Sequence, residues 1–251
     1  MPHDAGTWIE AKVGGHPCDI YEPPQCNEFG YALIYLHGVH LNRLTDKTTF
    51  IEQFDRHGLP VIAPHTQSSW WTDKICTVFD PELTAERHVL DNILPEIQSR
   101  WGAVPPRIGL FGTSMGGQGA LRLAYKHPNI FPVTAALAPA IDYQCRYDED
   151  EIIQQMYEDA EAVRQDTATL HIHPLNWPRH QFFSCDPTDY YWWESADRLR
   201  MKLSSLGVPH ECDLETEGGG HGFAYYNVMA ERVVQFLQDR LDQERRRLVQ
   251  E

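Results

Sequence analysis

The sequence is poor in basic charge: 21 lysines and arginines stand against 36 acids, a formal net charge of −15. Nucleic acid and anionic membrane are polyanions, so neither is an expected partner. The one basic cluster, Arg245-Arg246-Arg247, sits among acids near the C-terminus and reads as a solvated helix end favoured by the helix dipole. No apolar run approaches the length that spans a bilayer. Met1 to Val13 has no basic segment followed by an apolar core, so no secretory signal is expected. Cysteine is sparse and scattered (Cys18, Cys26, Cys76, Cys145, Cys185, Cys212), with no Cys-x-x-Cys. In a long chain without a secretion signal these read as free thiols in a cytoplasmic protein. Repeats and low-complexity segments are absent too. His171-Ile172-His173 alternates like metal ligands on a strand, but no third ligand lies nearby; a structural role is expected there, and no metal or cofactor.

What the chain does have is a core: 42% of its 251 residues are apolar, enough for one large α/β domain over 1–251. Thr7–Val13 and Pro17–Tyr21 flank Gly14-Gly15 and read as a β-hairpin. Tyr31–Leu36 is a continuous apolar run, the mark of a strand buried on both faces. Thr45–His57 has helical spacing, with Gly58 as a stop, and Pro60–Ala63 is a further short strand. Thr66–Phe79 reads as a loop packed over the fold. Asp80-Pro81-Glu82 suggests the start of a helix running to Trp101, bent near Pro95. Arg107–Phe111 and Pro132–Leu137 are strands on either side of a helix over Ser114–His127. From Ile141 to Trp177 the alternation breaks into an acidic stretch, helical over Glu149–Gln165; we expect a helical insertion over 141–178 that lies above the sheet as a partial lid. Strand His180–Cys185, helix Trp193–Leu206, strand His210–Leu214 and a long helix from Ala224 complete the chain. Repeated strand–helix units imply a mostly parallel sheet covered by helices on both faces, with its site at the carboxyl ends of the strands.

The motifs gather at that edge. Gly112-Thr113-Ser114-Met115-Gly116 has the Gly-x-Ser-x-Gly pattern, with a strand before it and a helix after it. Small neighbours allow a turn tight enough to lift the Ser114 hydroxyl clear of the sheet and aim the Met115 N–H at a carbonyl under attack. A serine needs a base, and His221, one of thirteen histidines, follows the last strand in Glu217-Gly218-Gly219-Gly220-His221-Gly222. The base needs a carboxylate. Asp186, at the end of its strand, is the preferred candidate; Asp189, three residues on, is the alternative and otherwise reads as a turn or capping acid. The second oxyanion donor is expected from the loop after Leu36, at the Val39 N–H beside Gly38. His37 and His40 flank this loop, with hydrogen bonds that hold it as their simpler role. Trp70, Trp71, Trp192 and Phe223, with neighbouring aromatics, are candidates for walls that would favour an apolar or sugar-faced substrate, with core packing as the competing reading.

Gly112 to Leu121, Pro128 and Ala136-Leu137-Ala138-Pro139, together with Gly220-His221-Gly222-Phe223-Ala224-Tyr225-Tyr226, resemble the esterase D / S-formylglutathione hydrolase branch of the α/β-hydrolases. The resemblance runs from about Tyr31 onward and is weak through Ile141–Trp177. It implies a serine hydrolase that cleaves small-molecule esters or thioesters through an acyl-enzyme without a cofactor. Thr113 stands where that branch often has histidine, and neither His37-Gly38-Val39 nor Cys185-Asp186-Pro187 is its usual loop, so formylglutathione itself is not implied. An acyltransferase or peptidase using the same triad, or a binding protein that has lost turnover, would share these residues, and a homo-oligomer is left open.

Overall fold

A computed structural model describes the backbone of residues 5–250 and the side chains of 5–248; Met1 to Asp4, the start of the stretch read for a signal, lie outside it. Eight strands form one sheet in the order β1-β2-β4-β3-β5-β6-β7-β8. The hairpin is β1 (Thr7–Val13) and β2 (His16–Glu22), closed by Gly14 and Gly15, both at positive φ. Strand β2 pairs antiparallel with β4 (Val61–Pro64). From there β3 (Ala32–Leu36), β5 (Ile108–Thr113), β6 (Val133–Leu137), β7 (His180–Ser184) and β8 (Glu211–Asp213) are all parallel. Every residue of β3, β4, β5 and β6 is buried, as strands covered on both faces must be.

Alternation along β5 assigns the two faces. A Cβ on Gly109 would meet Leu237 and Leu241, and Phe111 packs its ring 6.3 Å from both Phe50 and Phe54. That face therefore carries α1 (Thr48–His57) and α8 (Phe223–Gln250). Gly112, of opposite parity, faces α4 (Met115–Lys126). Each of these fully buried phenylalanines contributes about 1.5–3 kcal/mol of apolar burial. After β3 the chain goes to β4 on one side, then crosses to β5 on the other. The sheet thus reverses its winding between β3 and β5, where a crevice for ligands forms in such folds.

Two expected helices differ in outline. Asp80 does not open the helix before β5: its Oδ1 accepts the Glu82 and Leu83 N–H groups in a turn, and Thr84 is the N-cap, accepting from Arg87 N. Helix α2 (Ala85–His88) passes through a π-helical turn (Val89–Ile93) into α3 (Leu94–Trp101). The widened turn comes immediately before Pro95, whose missing N–H breaks the ordinary ladder. The helix expected over Glu149–Gln165 is likewise two: α5 (Glu151–Met156) and α6 (Ala160–Gln165), because Asp159 turns outward and caps the second through Ala162 N.

The segment between β6 and β7 is tied to α4. Arg122, 2% exposed, holds Asp166 through Nε and Nη2 and Glu86 through Nη1, while the Gln118 side chain accepts the Ala168 N–H. His171 joins this cluster on Asp166 at 2.8 Å, and His173 accepts the Leu175 N–H. Helix α7 (Trp193–Ser205) follows β7. None of the six cysteines is in a disulfide. No helix among the described residues is long and apolar enough to cross a membrane.

Candidate active site

The register of the parallel strands brings their ends level: Thr113 pairs with Leu137, Leu137 with Ser184 and Ser184 with Asp213. The loops that leave this edge carry every motif singled out above. Ser114 is the residue between β5 and α4, at φ 55° and ψ −118°, a conformation that non-glycine residues rarely adopt. Its N–H donates to Leu137 O at 2.9 Å and its carbonyl accepts from Ala140 N at 3.0 Å, so neighbouring backbone holds the strain. Bulk is excluded around it. A Cβ on Gly116 would lie 1.9 Å from Leu36 O, and one on Gly112 would lie 2.2 Å from Gly116 O. Tyr35 fixes the residue before the serine, its hydroxyl 2.9 Å from Thr113 Oγ1.

His221 Nε2 lies 2.9 Å from Ser114 Oγ. Its other ring nitrogen, Nδ1, lies 2.7 Å from a carboxylate oxygen, and the carboxylate is that of Asp189, not Asp186. The preference for the acid nearest the strand end is therefore corrected. Asp186 lies two residues past the end of β7, and its two oxygens are already taken. Oδ1 accepts the Thr188 N–H and hydroxyl, both at 2.8 Å, and Oδ2 accepts Gly218 N at 2.6 Å and Gly220 N at 2.9 Å. Burial opposes its ionisation, yet these four donors outweigh it and bring the carboxyl down to about 2. Asp186 thus pins the glycine loop that delivers His221. The loop needs that pin, since Gly219, Gly220 and Gly222 all sit at positive φ.

Asp189 does two jobs with its two oxygens. Oδ1 accepts Tyr191 N and Trp192 N at 3.2 Å each, the turn role expected of it; the helix that follows has Trp192 at its N-cap and no side-chain cap. Oδ2 accepts from His221 Nδ1 and, at 3.6 Å, from the Cys185 thiol. Burial holds Cys185 well above the usual thiol range, and the adjacent Asp189 carboxylate adds to this, so it stays a donor. The Asp189 side chain is fully enclosed, whereas that of His221 is 30% exposed. A buried carboxylate on Nδ1 places the imidazole proton there and leaves Nε2 free to accept from Ser114.

The loop after β3 passes directly beside the serine. A Cβ on Gly38 would sit 3.3 Å from Ser114 Cβ and 3.4 Å from Thr113 O. His37 holds this loop instead of facing a ligand: Nε2 accepts the Thr66 N–H at 3.1 Å and Nδ1 lies 2.9 Å from Gly38 O, which it reaches as a donor. Burial pushes His37 down to about 4, so it is neutral, as this bonding requires. Trp71 is also a support, wholly buried, with its indole N–H donating to His37 O at 3.1 Å. Of the other expected walls, Trp70 is 3% exposed and stacks on Tyr143 at 4.3 Å, and Trp192 is 8% exposed. None of these three presents its ring to a substrate as it stands; core packing decides their place. His40 is exposed on the loop, Val39 is half-buried, and Phe223 lies half-buried next to His221 with Lys47 Nζ 4.6 Å from its ring centre.

From the residues alone Tyr226 is one of a group of wall aromatics. Its hydroxyl is 3.2 Å from His221 Nε2. The signal available was its position, five residues past His221 and on the first turn of α8, which turns it back toward the histidine.

The chain is similar to several known proteins. The S-formylglutathione hydrolase of Rattus norvegicus is 32% identical over 141 residues, 48% of this chain and 50% of that protein. That of Mus musculus is 30% identical over 142 residues with the same coverage. The chain spans about half the length of these curated relatives. Among solved structures, the fluorophosphonate-binding serine hydrolase FphF of Staphylococcus aureus superposes with a TM-score of 0.76 at 16% identity, covering 93% of this chain and 99% of that one. An S-formylglutathione hydrolase from Agrobacterium tumefaciens gives 0.70 at 17% identity, covering 94% of each. At such identities the likeness establishes the fold, which is that of the α/β-hydrolases. The family described as "Putative esterase" matches residues 18–229, and the chain belongs to it.

Proposed function

We propose that this protein hydrolyses carboxylic esters or thioesters of small molecules through an acyl-enzyme on Ser114. The observation that carries this reading is the unbroken chain Ser114 Oγ–His221 Nε2 at 2.9 Å and His221 Nδ1–Asp189 Oδ2 at 2.7 Å. Ser114 Oγ attacks the carbonyl carbon while His221 removes its proton, and Asp189 steadies the imidazolium. The carbonyl oxygen takes up negative charge and meets the N–H groups of Met115 and Val39. Met115 is the first residue of α4, so its N–H has no acceptor within the helix and lies at the positive end of the dipole. Gly38 lets the Val39 loop approach that closely. The tetrahedral intermediate then expels its alcohol or thiol, which takes the proton from His221, and water repeats the cycle on the acyl group. Residues 141–178 act as a partial lid secured to α4 by Arg122 and Gln118.

A fluorophosphonate probe tests the reading. Wild-type protein should be labelled at Ser114 and should hydrolyse p-nitrophenyl acetate, and Ser114→Ala should do neither. Absence of labelling in folded wild-type protein would remove the nucleophile from the proposal.

A further inference from the structure

Tyr226 is a further polar group at the reacting atoms. It sits at the start of α8, 3% exposed, with its ring edge-on to Phe223 at 5.2 Å and to His221 at 5.9 Å. Its hydroxyl has two neighbours: His221 Nε2 at 3.2 Å and the Ser114 hydroxyl. Burial holds the phenol well above its ordinary value, with Tyr35 and Asp189 nearby adding to this, so it keeps its proton through the working pH range.

The shorter of the two contacts to Nε2, 2.9 Å against 3.2 Å, assigns the protons of the resting site. His221 Nδ1–H goes to Asp189, and Ser114 O–H goes to the single lone pair on Nε2. The acceptor left for the Tyr226 proton is the Ser114 oxygen. When Ser114 attacks, the lone pair on its oxygen not engaged by Tyr226 becomes the new bond to carbon. The Ser114 proton moves to Nε2, and the oxygen, now bonded to the acyl carbon, is a much poorer acceptor for Tyr226. At that instant two donors, Nε2–H and Tyr226 O–H, stand side by side, and the atom that needs donors is the leaving heteroatom.

We propose that Tyr226 is a further catalytic residue whose hydroxyl binds the leaving-group oxygen or sulfur beside His221. This rests on the serine-hydrolase reading above. In the collapse step the carbon–heteroatom bond breaks and its electron pair goes to the heteroatom. The His221 Nε2 proton is transferred to that atom, the imidazole returns to neutral, and Tyr226 donates a hydrogen bond without giving up its proton. In deacylation the attacking water occupies the same place, its proton directed at Nε2 and its oxygen held by Tyr226. The interaction is absent in the resting enzyme and made only as charge develops, which is what accelerates a step instead of merely binding substrate.

Leaving-group dependence tests this. p-Nitrophenolate departs with little help, whereas an alkoxide does not. For Tyr226→Phe, kcat/KM on an alkyl acetate should fall about 10- to 100-fold, while p-nitrophenyl acetate should stay within about 3-fold of wild type. Fluorophosphonate labelling, with fluoride as leaving group, should be equally unaffected and also reports that the variant is folded. An equal loss on both esters, or no loss on either, overturns the proposal. Should the phenylalanine variant not fold, 3-fluorotyrosine at 226 keeps the shape and makes the phenol more acidic. The dependence of log kcat/KM on leaving-group basicity should then flatten, and an unchanged slope overturns the proposal. If wild-type protein itself neither labels nor turns over, the failure lies with the serine-hydrolase reading and is seen before any Tyr226 variant is made.

Discussion

Replacing each of the two aspartates by asparagine separates orienting the base from holding its loop. In Asp189→Asn the new amide can keep its oxygen on the Tyr191 and Trp192 N–H groups, which those donors require. Its NH2 then faces His221 Nδ1 and the Cys185 thiol. Nδ1 must become the acceptor, the ring proton moves to Nε2, and the nitrogen facing Ser114 can no longer take a proton. Flipping the amide restores the histidine contact only by pointing NH2 at two backbone N–H groups. The wrong tautomer should cost about 10³–10⁴ in kcat, or about 4–5.5 kcal/mol of transition-state stabilisation. Stability should change by about 1 kcal/mol or less, since the turn onto Tyr191 and Trp192 survives. Asp186→Asn behaves in the opposite way. One oxygen cannot serve Gly218, Gly220 and Thr188 together, so about 2–4 kcal/mol of stability should be lost with the charge-assisted bonds. Activity should fall only about tenfold, through a looser His221 loop. The assay is kcat/KM on p-nitrophenyl acetate alongside thermal melting for both variants. An inactive Asp186→Asn with unchanged melting, next to an active Asp189→Asn, would refute the assignment.

Three further outcomes are expected. Ser114→Ala should fold normally and lose at least about 10³ in kcat, and near wild-type turnover of an activated ester would remove the nucleophile. Gly116→Ala should destabilise by more than about 3 kcal/mol, because its Cβ would meet the Leu36 carbonyl at 1.9 Å and neither backbone can yield; soluble, active protein melting near wild type would contradict the close approach. Stability should also fall on acidification. Burial lowers His37 and His88 to about 4 each from an ordinary value near 6.5, so the unfolded chain takes up protons first. The stabilisation is full above about pH 6.5 and is lost as pH falls toward 4, about 2 kcal/mol per histidine between pH 7 and 5. Urea unfolding at both pH values should show the loss, and His88→Phe should shrink it by about that amount; an unchanged pH dependence would count against the buried neutral ring.

Elements whose cause is local were readable from the residues. Gly58 ends α1 in the left-handed conformation, and the apolar run to Leu36 and the small residues around Ser114 appear where a buried strand and a tight turn were expected. The order serine, acid, histidine after successive parallel strands was enough to gather the site on one edge. What could not be read is which of two nearby acids a histidine chooses. That depends on where a second, distant loop places its backbone donors. The expectation assumed that proximity to a strand end aims a side chain at the base. In the fold the Gly218 and Gly220 N–H groups, donors from the histidine loop, take the Asp186 carboxylate. A glycine-rich loop at positive φ turns such amides toward one point and so asks for a carboxylate of its own. Asp189, three residues on, is the acid left over, and the turn it makes onto Tyr191 and Trp192 with one oxygen is what aims the other at Nδ1. Turn formation and catalysis are not rivals for this residue. A carboxylate has two oxygens, and here the turn is what holds the orienting oxygen in place.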